Sequence, residues 1–111
     1  MDVIRIAMVT VPRDEAAALA KSIIESRLAA CVNVLPKVES YYWWNDEINT
    51  DKESLLIIKT IENKIEKLIL FVEEHHPNNV PEIIAFKLSE GLPEYINWVI
   101  AESGKMPSGV E

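Results

Sequence analysis

Two adjacent histidines, His75 and His76, are the first candidates for chemistry in this 111-residue sequence. Neighbouring side chains on a helix diverge by about 100°, so the pair is poorly placed to chelate one metal ion within a single chain. No H-x-x-x-H, C-x-x-C or H-E-x-x-H spacing is present to build a conventional zinc site. A structural role at a helix end is the first interpretation. The alternative is that His76 joins a composite metal site at a boundary between subunits.

A second group of charged residues could form a ligand-binding cleft. Lys59 ends a buried strand just before Thr60, the expected N-cap of the next helix, where an anion could bind. Glu82 begins another strand and could be the charge partner of Lys59. Arg27 could pair with an acid in the same way. Structural ion pairing is one interpretation of each residue, and a polar cleft that joins Lys59, Glu82 and His76 is the other.

Tyr41, Tyr42, Trp43 and Trp44 form a run of four aromatic residues near a predicted hairpin tip. Tyrosine and tryptophan are enriched at the centres of protein interfaces, which favours packing between subunits. A platform on which a ligand stacks is the alternative. Cys31 is the single cysteine and excludes an internal disulfide framework. Its apolar neighbours favour a small buried hydrophobic residue over a nucleophile or metal ligand.

The length and composition predict one globular domain. The sequence is 49% hydrophobic and 26% charged, with a net charge of −7. An acidic domain disfavours nucleic acid and anionic membranes as partners. No Ser/His/Asp set is present, and three glycines are too few for a Gly-rich phosphate cradle. The lone cysteine, together with the lack of an apolar run of about 20 residues, predicts a cytoplasmic location.

Hydrophobic periodicity predicts the order β-α-β-β-α-β-α over residues 1–103, followed by a flexible tail over residues 104–111. This is the split βαβ, ferredoxin-like pattern of the α+β class: a four-stranded antiparallel sheet with helices on one face. Asp14 is the expected N-cap of the first helix. Pro36 predicts a bulge or a partly unpaired edge in the second strand, and Asn45-Asp46 predicts a two-residue hairpin turn.

Two of the predicted strands place large aliphatic residues on both faces of the sheet. Leu55–Ile58 and Ile6–Val9 do not alternate with polar residues, as strands wetted on one face should. A soluble monomer rarely exposes an apolar patch of this kind. The second face therefore needs a partner, and another copy of the chain is the simplest one.

The sequence also resembles the CutA family, the divalent-cation tolerance proteins, from about Ile4 to Glu102. The resemblance is carried by several segments in a fixed order: Thr10–Pro12, Arg27–Asn33, Ser40–Trp44, Leu56–Thr60, His75–Pro77, Val80–Ile84 and Tyr95–Trp98. Two features depart from the family pattern. Asn78 follows His76-Pro77 where an aromatic residue is usual, and the hairpin turn lacks the common glycine.

This resemblance implies a homotrimer of ferredoxin-like subunits, similar in architecture to the PII signalling proteins, with a role in divalent metal-ion tolerance and no established enzymatic activity. It implies no tightly bound cofactor. The resemblance also leaves open a bound copper or zinc ion, with His76 as a ligand together with Glu82 or with groups of a neighbouring subunit. Cys31 stands alone, so a soft Cu(I) site is not expected. A PII-like sensor of a small anion or nucleotide, a small hydrolase of the acylphosphatase type and a purely structural module are the alternatives.

Overall fold

The computed structural model describes residues 3–107 and contains four strands and three helices in the predicted order. A short 3-10 turn precedes each of the first two helices. The expected tail therefore lies in part, over residues 108–111, outside the described residues. The elements are β1 (Ile4–Pro12), α1 (Ala16–Glu25), β2 (Cys31–Trp44), β3 (Glu47–Ile61), α2 (Ile65–His75), β4 (Ile83–Lys87) and α3 (Pro93–Ser103).

The four strands form one antiparallel sheet in the order β2-β3-β1-β4. β1 pairs with β3 along its whole length, from Ile4 opposite Ile61 to Pro12 opposite Glu53. The short strand β4 completes the other side of β1, with Val9 opposite Ile83. This arrangement confirms the predicted fold class.

The main core lies between one face of the sheet and the helices α1 and α2. Alternate residues of β1 and β3 point to this face, among them Val9 and its partner Leu56, which are both fully buried. Leu19 and Ile23 of α1 and Val72 of α2 pack onto them. The apolar spacing of both helices is therefore explained by burial against β-branched and aliphatic strand residues.

The third helix, α3, packs against the opposite face of the sheet. Ile4 and Ile61 point away from α1 and α2, and they form a second buried cluster with Ile96 and Val99 of α3. The expectation of helices on one face thus holds for α1 and α2 only. Beyond α3, the rest of this second face carries half-exposed apolar side chains, including Ile84 and Phe86 of β4. We call it the open face.

β2 and β3 continue well beyond the end of β1 as a two-stranded hairpin arm. Past Glu53 the ladder runs from Val38 to Trp44, and Asn45 and Asp46 close it with φ values of 52° and 61°. Two residues with positive φ are the signature of the predicted two-residue turn. The predicted bulge is also present, because the register shifts between Leu35 and Val38.

The expected helix caps are not formed, because the chain uses these residues differently. Thr60 is fully buried in β3, and its Oγ1 donates a hydrogen bond to the carbonyl of Leu28 at 2.7 Å. Asp14 lies inside a 3-10 turn and makes no side-chain cap bond. Thr60 therefore ties the turn after α1 to the sheet, and the expected anion site at this helix start loses its capping residue.

Arg27 confirms the expectation of a structural ion pair. It has a φ of 57° in the turn after α1, and its Nη1 lies 3.0 Å from Oε1 of Glu102 on α3. Lys105 contacts the other carboxylate oxygen at 2.6 Å. Hydrogen bonds from Lys105, and next from Arg27, hold the pKa of the Glu102 carboxyl below its usual range. No helix among residues 3–107 is long and apolar enough to cross a membrane.

The buried hydroxyl of Thr60 yields a stability prediction. Thr60→Val keeps the shape of the side chain but leaves the Leu28 carbonyl without its partner, so we expect a loss of about 1–3 kcal/mol in the free energy of unfolding. Thr60→Ser keeps the hydroxyl and is the matched control. Guanidinium unfolding measures both. Equal stability of the valine variant and the wild type would show that water replaces the hydroxyl.

Candidate functional site

A cleft of about 730 Å³ opens between the hairpin arm and the segment that joins α2 to β4. This volume falls within the range of roughly 300–1,000 Å³ that is common for small-molecule sites. Its walls combine aromatic, carboxylate, hydroxyl and amide side chains. The lining residues are Thr10, Ser40, Tyr41, Tyr42, Trp44, Asp51, Glu53, Pro77, Asn78, Asn79, Val80 and Glu82.

His76 fixes the segment that forms one wall of this cleft. Its side chain is buried, and its Nε2 lies 2.7 Å from the carbonyl oxygen of Thr10 on β1. Its Nδ1 accepts a hydrogen bond from the backbone N–H of Asn78 at 3.1 Å. Because Nδ1 accepts, Nε2 is the nitrogen that donates a hydrogen bond to the carbonyl of Thr10, and His76 tethers this segment to β1.

This bonding gives His76 a different role from the predicted metal ligand. A metal ion needs a free lone pair on an imidazole nitrogen, and in this geometry both nitrogens are engaged. His75 points elsewhere: its ring stacks on Phe71 with 4.0 Å between the centroids. Within residues 3–107, no three His, Cys, Asp or Glu side chains come close enough together to hold a metal ion.

Acidic residues of β3 supply most of the charge in the cleft. Asp51 and Glu53 share one face of the strand, and Glu82 contributes from the opposite wall. The sequence prediction found Glu82 and missed the other two. The sequence does hold a signal, because acid or amide residues recur at every second position over Glu47, Asn49, Asp51 and Glu53.

Glu53 is the most deeply placed of these acids, at 8% exposure. Its main-chain carbonyl accepts a hydrogen bond from Nε of Arg13 at 3.2 Å. Its carboxylate makes no hydrogen bond or ion pair with any described residue. Because Glu53 lines the cleft, its carboxylate is open to a positively charged or donor-rich group that enters there.

The aromatic run divides between the cleft and the outside. Tyr41, Tyr42 and Trp44 line the cleft, whereas Trp43 lies outside it and is 70% exposed. The hydroxyl of Tyr42 donates a hydrogen bond to the Asp51 carboxylate. This hydrogen bond raises the pKa of the Tyr42 phenol, and partial desolvation and the charges of Asp51 and Glu53 act in the same direction.

The predicted cluster of Lys59, Glu82 and His76 is not formed. Lys59 of β3 pairs with Ile6 of β1. The start of β4, next to Glu82, lies beside Val9, three residues further along β1. The ammonium of Lys59 contacts the side chain of Asn33 on β2. Arg27 forms an ion pair with Glu102 and does not line the cleft. Of the predicted ligand-binding residues, only Glu82 reaches the cavity.

Cys31 lies beside Lys59 and not in the cleft. It is half-buried, so the expectation of a buried small residue holds in part. Its Sγ lies 4.0 Å from Nζ of Lys59. Burial, and next the neighbouring Cys31, raise the pKa of the Tyr95 hydroxyl.

The cleft is consequently an acidic, aromatic cavity. Three of its twelve lining residues are carboxylates, and no lysine, arginine or histidine is among them. Such a site attracts cations and repels phosphate or carboxylate ligands. It lacks a paired nucleophile and base of the kind that covalent catalysis uses.

Comparison with known proteins gives consistent matches. The sequence profile of a family described as CutA1 divalent ion tolerance protein matches residues 5–102. Protein CutA 1, chloroplastic, of Oryza sativa subsp. japonica is 48% identical over 92 residues, which are 82% of this chain and 52% of that protein. The chain spans about half the length of the rice, Arabidopsis thaliana and mouse relatives.

Solved structures agree with the sequence matches. The divalent cation tolerance protein Cut A1 of Thermus thermophilus superimposes with a TM-score of 0.86 at 40% identity, covering 89% of this chain and 97% of that chain. The PII-like protein CutA from Nostoc sp. PCC 7120 gives a TM-score of 0.84 at 31% identity, with 89% and 96% covered. These likenesses confirm the predicted fold class and the resemblance that the sequence motifs carry.

The tether formed by His76 can be tested by removing its nitrogens. His76→Phe keeps a ring in the buried position but leaves the Asn78 N–H without its acceptor. We expect a loss of about 1–3 kcal/mol in unfolding free energy and faster hydrogen exchange over residues 77–82. His75→Gln, at the exposed neighbouring position, is the control. Unchanged exchange in the His76 variant would contradict the tether.

Proposed function

Because this chain belongs to the CutA1 divalent ion tolerance family, we propose that it is a non-enzymatic homotrimer of the divalent-ion response that binds its ligand beside the boundary between copies. The observation that carries this proposal is the position of the acidic cleft. It lies along the hairpin arm, the part of the chain with the least support from its own sheet.

Self-association is supported by the apolar surface that one chain leaves uncovered. Ile84, Phe86 and Leu35 of the open face are each 41–54% exposed. Trp43 and Ile48 on the hairpin arm are each exposed by two thirds or more. At about 25 cal/mol per Å² of apolar surface, covering these side chains gives a large driving force for association. A copy of the same chain offers the matching surface.

A trimer is the assembly that the family resemblance implies. A two-stranded ribbon is marginally stable on its own in water, and the hairpin arm has free backbone groups along the outer edge of β2. Pairing of this edge with a neighbouring copy would satisfy those groups and bury the aromatic run Tyr41–Trp44. Three copies can close such a ring of identical contacts.

A divalent ion such as copper or zinc would need ligands from more than one copy. The described residues of one chain do not converge as a metal site, and both nitrogens of His76 are engaged. Glu82 remains as a carboxylate that a neighbouring chain could complement. Carboxylate ligands favour hard divalent ions over Cu(I), in keeping with the absence of a second cysteine.

The alternative of a PII-like sensor for an anion or nucleotide finds no support in the cleft. Its carboxylates repel phosphate groups, and the predicted anion ligand Lys59 lies elsewhere on the sheet. A purely structural role differs from the proposal in one respect, because it requires no ligand at all. The cytoplasmic location stays a prediction from composition.

Association through the open face predicts a change in mass for one substitution. Light scattering at micromolar concentration should return about three times the 12.6 kDa chain mass for the wild type. Phe86→Ser removes an apolar anchor from the open face and should shift the mass toward that of one chain. Leu70→Ser, on the outer surface of α2, is the control. A folded wild-type chain that stays at 12.6 kDa would refute the trimer.

Metal binding through a shared carboxylate predicts a different pattern. Calorimetry with Cu²⁺ and Zn²⁺ should show binding to the wild type that Glu82→Gln weakens by about tenfold or more, the effect of losing one charge-assisted contact. Cys31→Ser should bind like the wild type. Equal affinities for Glu82→Gln and the wild type would remove Glu82 from the metal site.

A further inference from the structure

We propose that His76 is a pH-sensitive latch, which holds the segment 77–82 on β1 while its Nδ1 is unprotonated and releases that segment when Nδ1 takes up a proton. This role lies outside the proposed function and does not depend on it. Every contact that carries it lies within one chain. The latch therefore requires neither an open cleft nor a particular number of copies, and it is compatible with the assembly proposed above.

The latch lies where the short strand β4 begins. The pairing of β1 with β4 ends at Val9, opposite Ile83. The next residue of β1, Thr10, has no β4 residue opposite it, and its carbonyl oxygen lies 2.7 Å from Nε2 of His76. A side chain from the end of α2 thereby supplies a main-chain acceptor of β1 with a donor, just beyond the end of β4.

The second hydrogen bond of the imidazole makes the closed latch sensitive to protonation. The backbone N–H of Asn78 donates to Nδ1 of His76 at 3.1 Å. A backbone N–H is only a donor, so Nδ1 has to offer its lone pair in this geometry. An imidazolium carries a proton on both ring nitrogens, and its Nδ1–H would point at the N–H of Asn78. Two donors would then face each other, so protonation of Nδ1 breaks this bond.

A charged imidazole is also poorly accommodated at the closed position. His76 is only 8% exposed. Among residues 3–107, no carboxylate forms an ion pair with either of its ring nitrogens. Burial of a charge without a partner is costly. The protonated ring is therefore more stable in water than against β1, and its departure carries Pro77 and Asn78 away from the sheet.

The charged groups of the surrounding elements favour the released, protonated ring. β1 carries no titratable side chain between Arg5 and Arg13, and Arg13 donates to the main-chain carbonyl of Glu53. The charged or titratable side chains of the other elements are Glu73, Glu74 and His75 of α2, Asp51 and Glu53 of β3, and Glu82 of the segment itself. All of these except His75 are acids, and they attract an imidazolium that has reached solvent.

The segment has little else to hold it in place. Residues 77–80 are all exposed. Within the part of the chain that the structure describes, these four residues make one hydrogen bond, from the N–H of Asn78 to His76. A stretch of exposed backbone with so few contacts opens at a low free-energy cost once that bond is lost. The core between the sheet and α1 and α2 does not depend on it.

NMR of the 111-residue chain between about pH 8 and about pH 5, where histidine side chains change charge, tests the latch. The chemical shifts of the ring nitrogens show when Nδ1 of His76 takes up a proton. Amide exchange, corrected for the intrinsic effect of pH, shows how firmly the N–H of Asn78 is held. We expect its protection to fall about tenfold or more as Nδ1 is protonated, the effect of losing one hydrogen bond. The core amides of Val9 and Leu56 should keep their protection.

Three variants identify the group that responds to pH. His75→Gln is the matched control, because it removes the exposed neighbouring imidazole and keeps that of His76. It should show the same loss of protection at Asn78 as the wild type. Glu82→Gln removes the carboxylate of the segment and should also keep the response. His76→Gln removes the titrating ring, so the protection of Asn78 should be equal at both ends of the pH range.

Several results would overturn the latch. An Asn78 amide that stays protected after Nδ1 is protonated would show that the bond is not broken, and an Nδ1 that stays unprotonated down to about pH 5 would show that the latch does not open. Equal loss of protection at Val9 and Leu56 would indicate general unfolding by acid. Phe86→Ser, the variant expected to remain a single chain, separates the latch from assembly. If this variant folds but lacks the response, pH acts on the contact between copies and not on His76.

Discussion

The mismatch in length between β1 and its neighbour β3 is the constraint on which the structure depends. β1 ends at Pro12, opposite Glu53, while the ladder between β2 and β3 continues to the turn at Asn45-Asp46. Beyond Glu53 no third strand from residues 3–107 supports the ribbon. The arm therefore exposes aromatic side chains, forms one wall of the cleft, and leaves the outer edge of β2 without a neighbouring strand among the described residues. An equal strand length would leave an ordinary ferredoxin-like domain without this cavity.

The organisation of the chain follows from local signals that are clear in the sequence. Three local patterns each span only a few residues: the helical spacing of apolar residues, the interruption at Pro36 and the turn at Asn45-Asp46. The structure confirms the helices, the bulge and the turn that they predict. The placement of α3 needed non-local information. Ile4 and Ile61 are apolar like their neighbours, and only the pairing of β1 with β3 shows that they face away from α1 and α2. Thr60 looked like a cap because the competing acceptor, the Leu28 carbonyl, is distant in sequence.

The candidate site depends even more on contacts between residues that are distant in sequence. Residue type drew attention to His76, Lys59 and Glu82, of which Glu82 lines the cleft that the structure contains. The structure uses the imidazole for a hydrogen-bonded tether and holds Lys59 against Asn33. Asp51 and Glu53 were missed because isolated acids in a strand usually indicate a wetted face. The recurrence of acid and amide residues over residues 47–53 is visible in the sequence, but its meaning depends on the wall formed by residues 77–82, which only the tertiary fold supplies.

The bulge at Pro36 has a consequence for the choice of aromatic residues. Between Leu35 and Val38, β2 advances three residues while β3 advances two, so one extra residue is accommodated. Side chains alternate between faces, and a single added residue therefore inverts the orientation of everything that follows it. Tyr42 and Trp44 are thereby paired on the face of Asp51 and Glu53, and Trp43 is turned outward. The one-residue bulge therefore determines which side chains of the arm stand on the face of Asp51 and Glu53, and it places Trp43 on the opposite face.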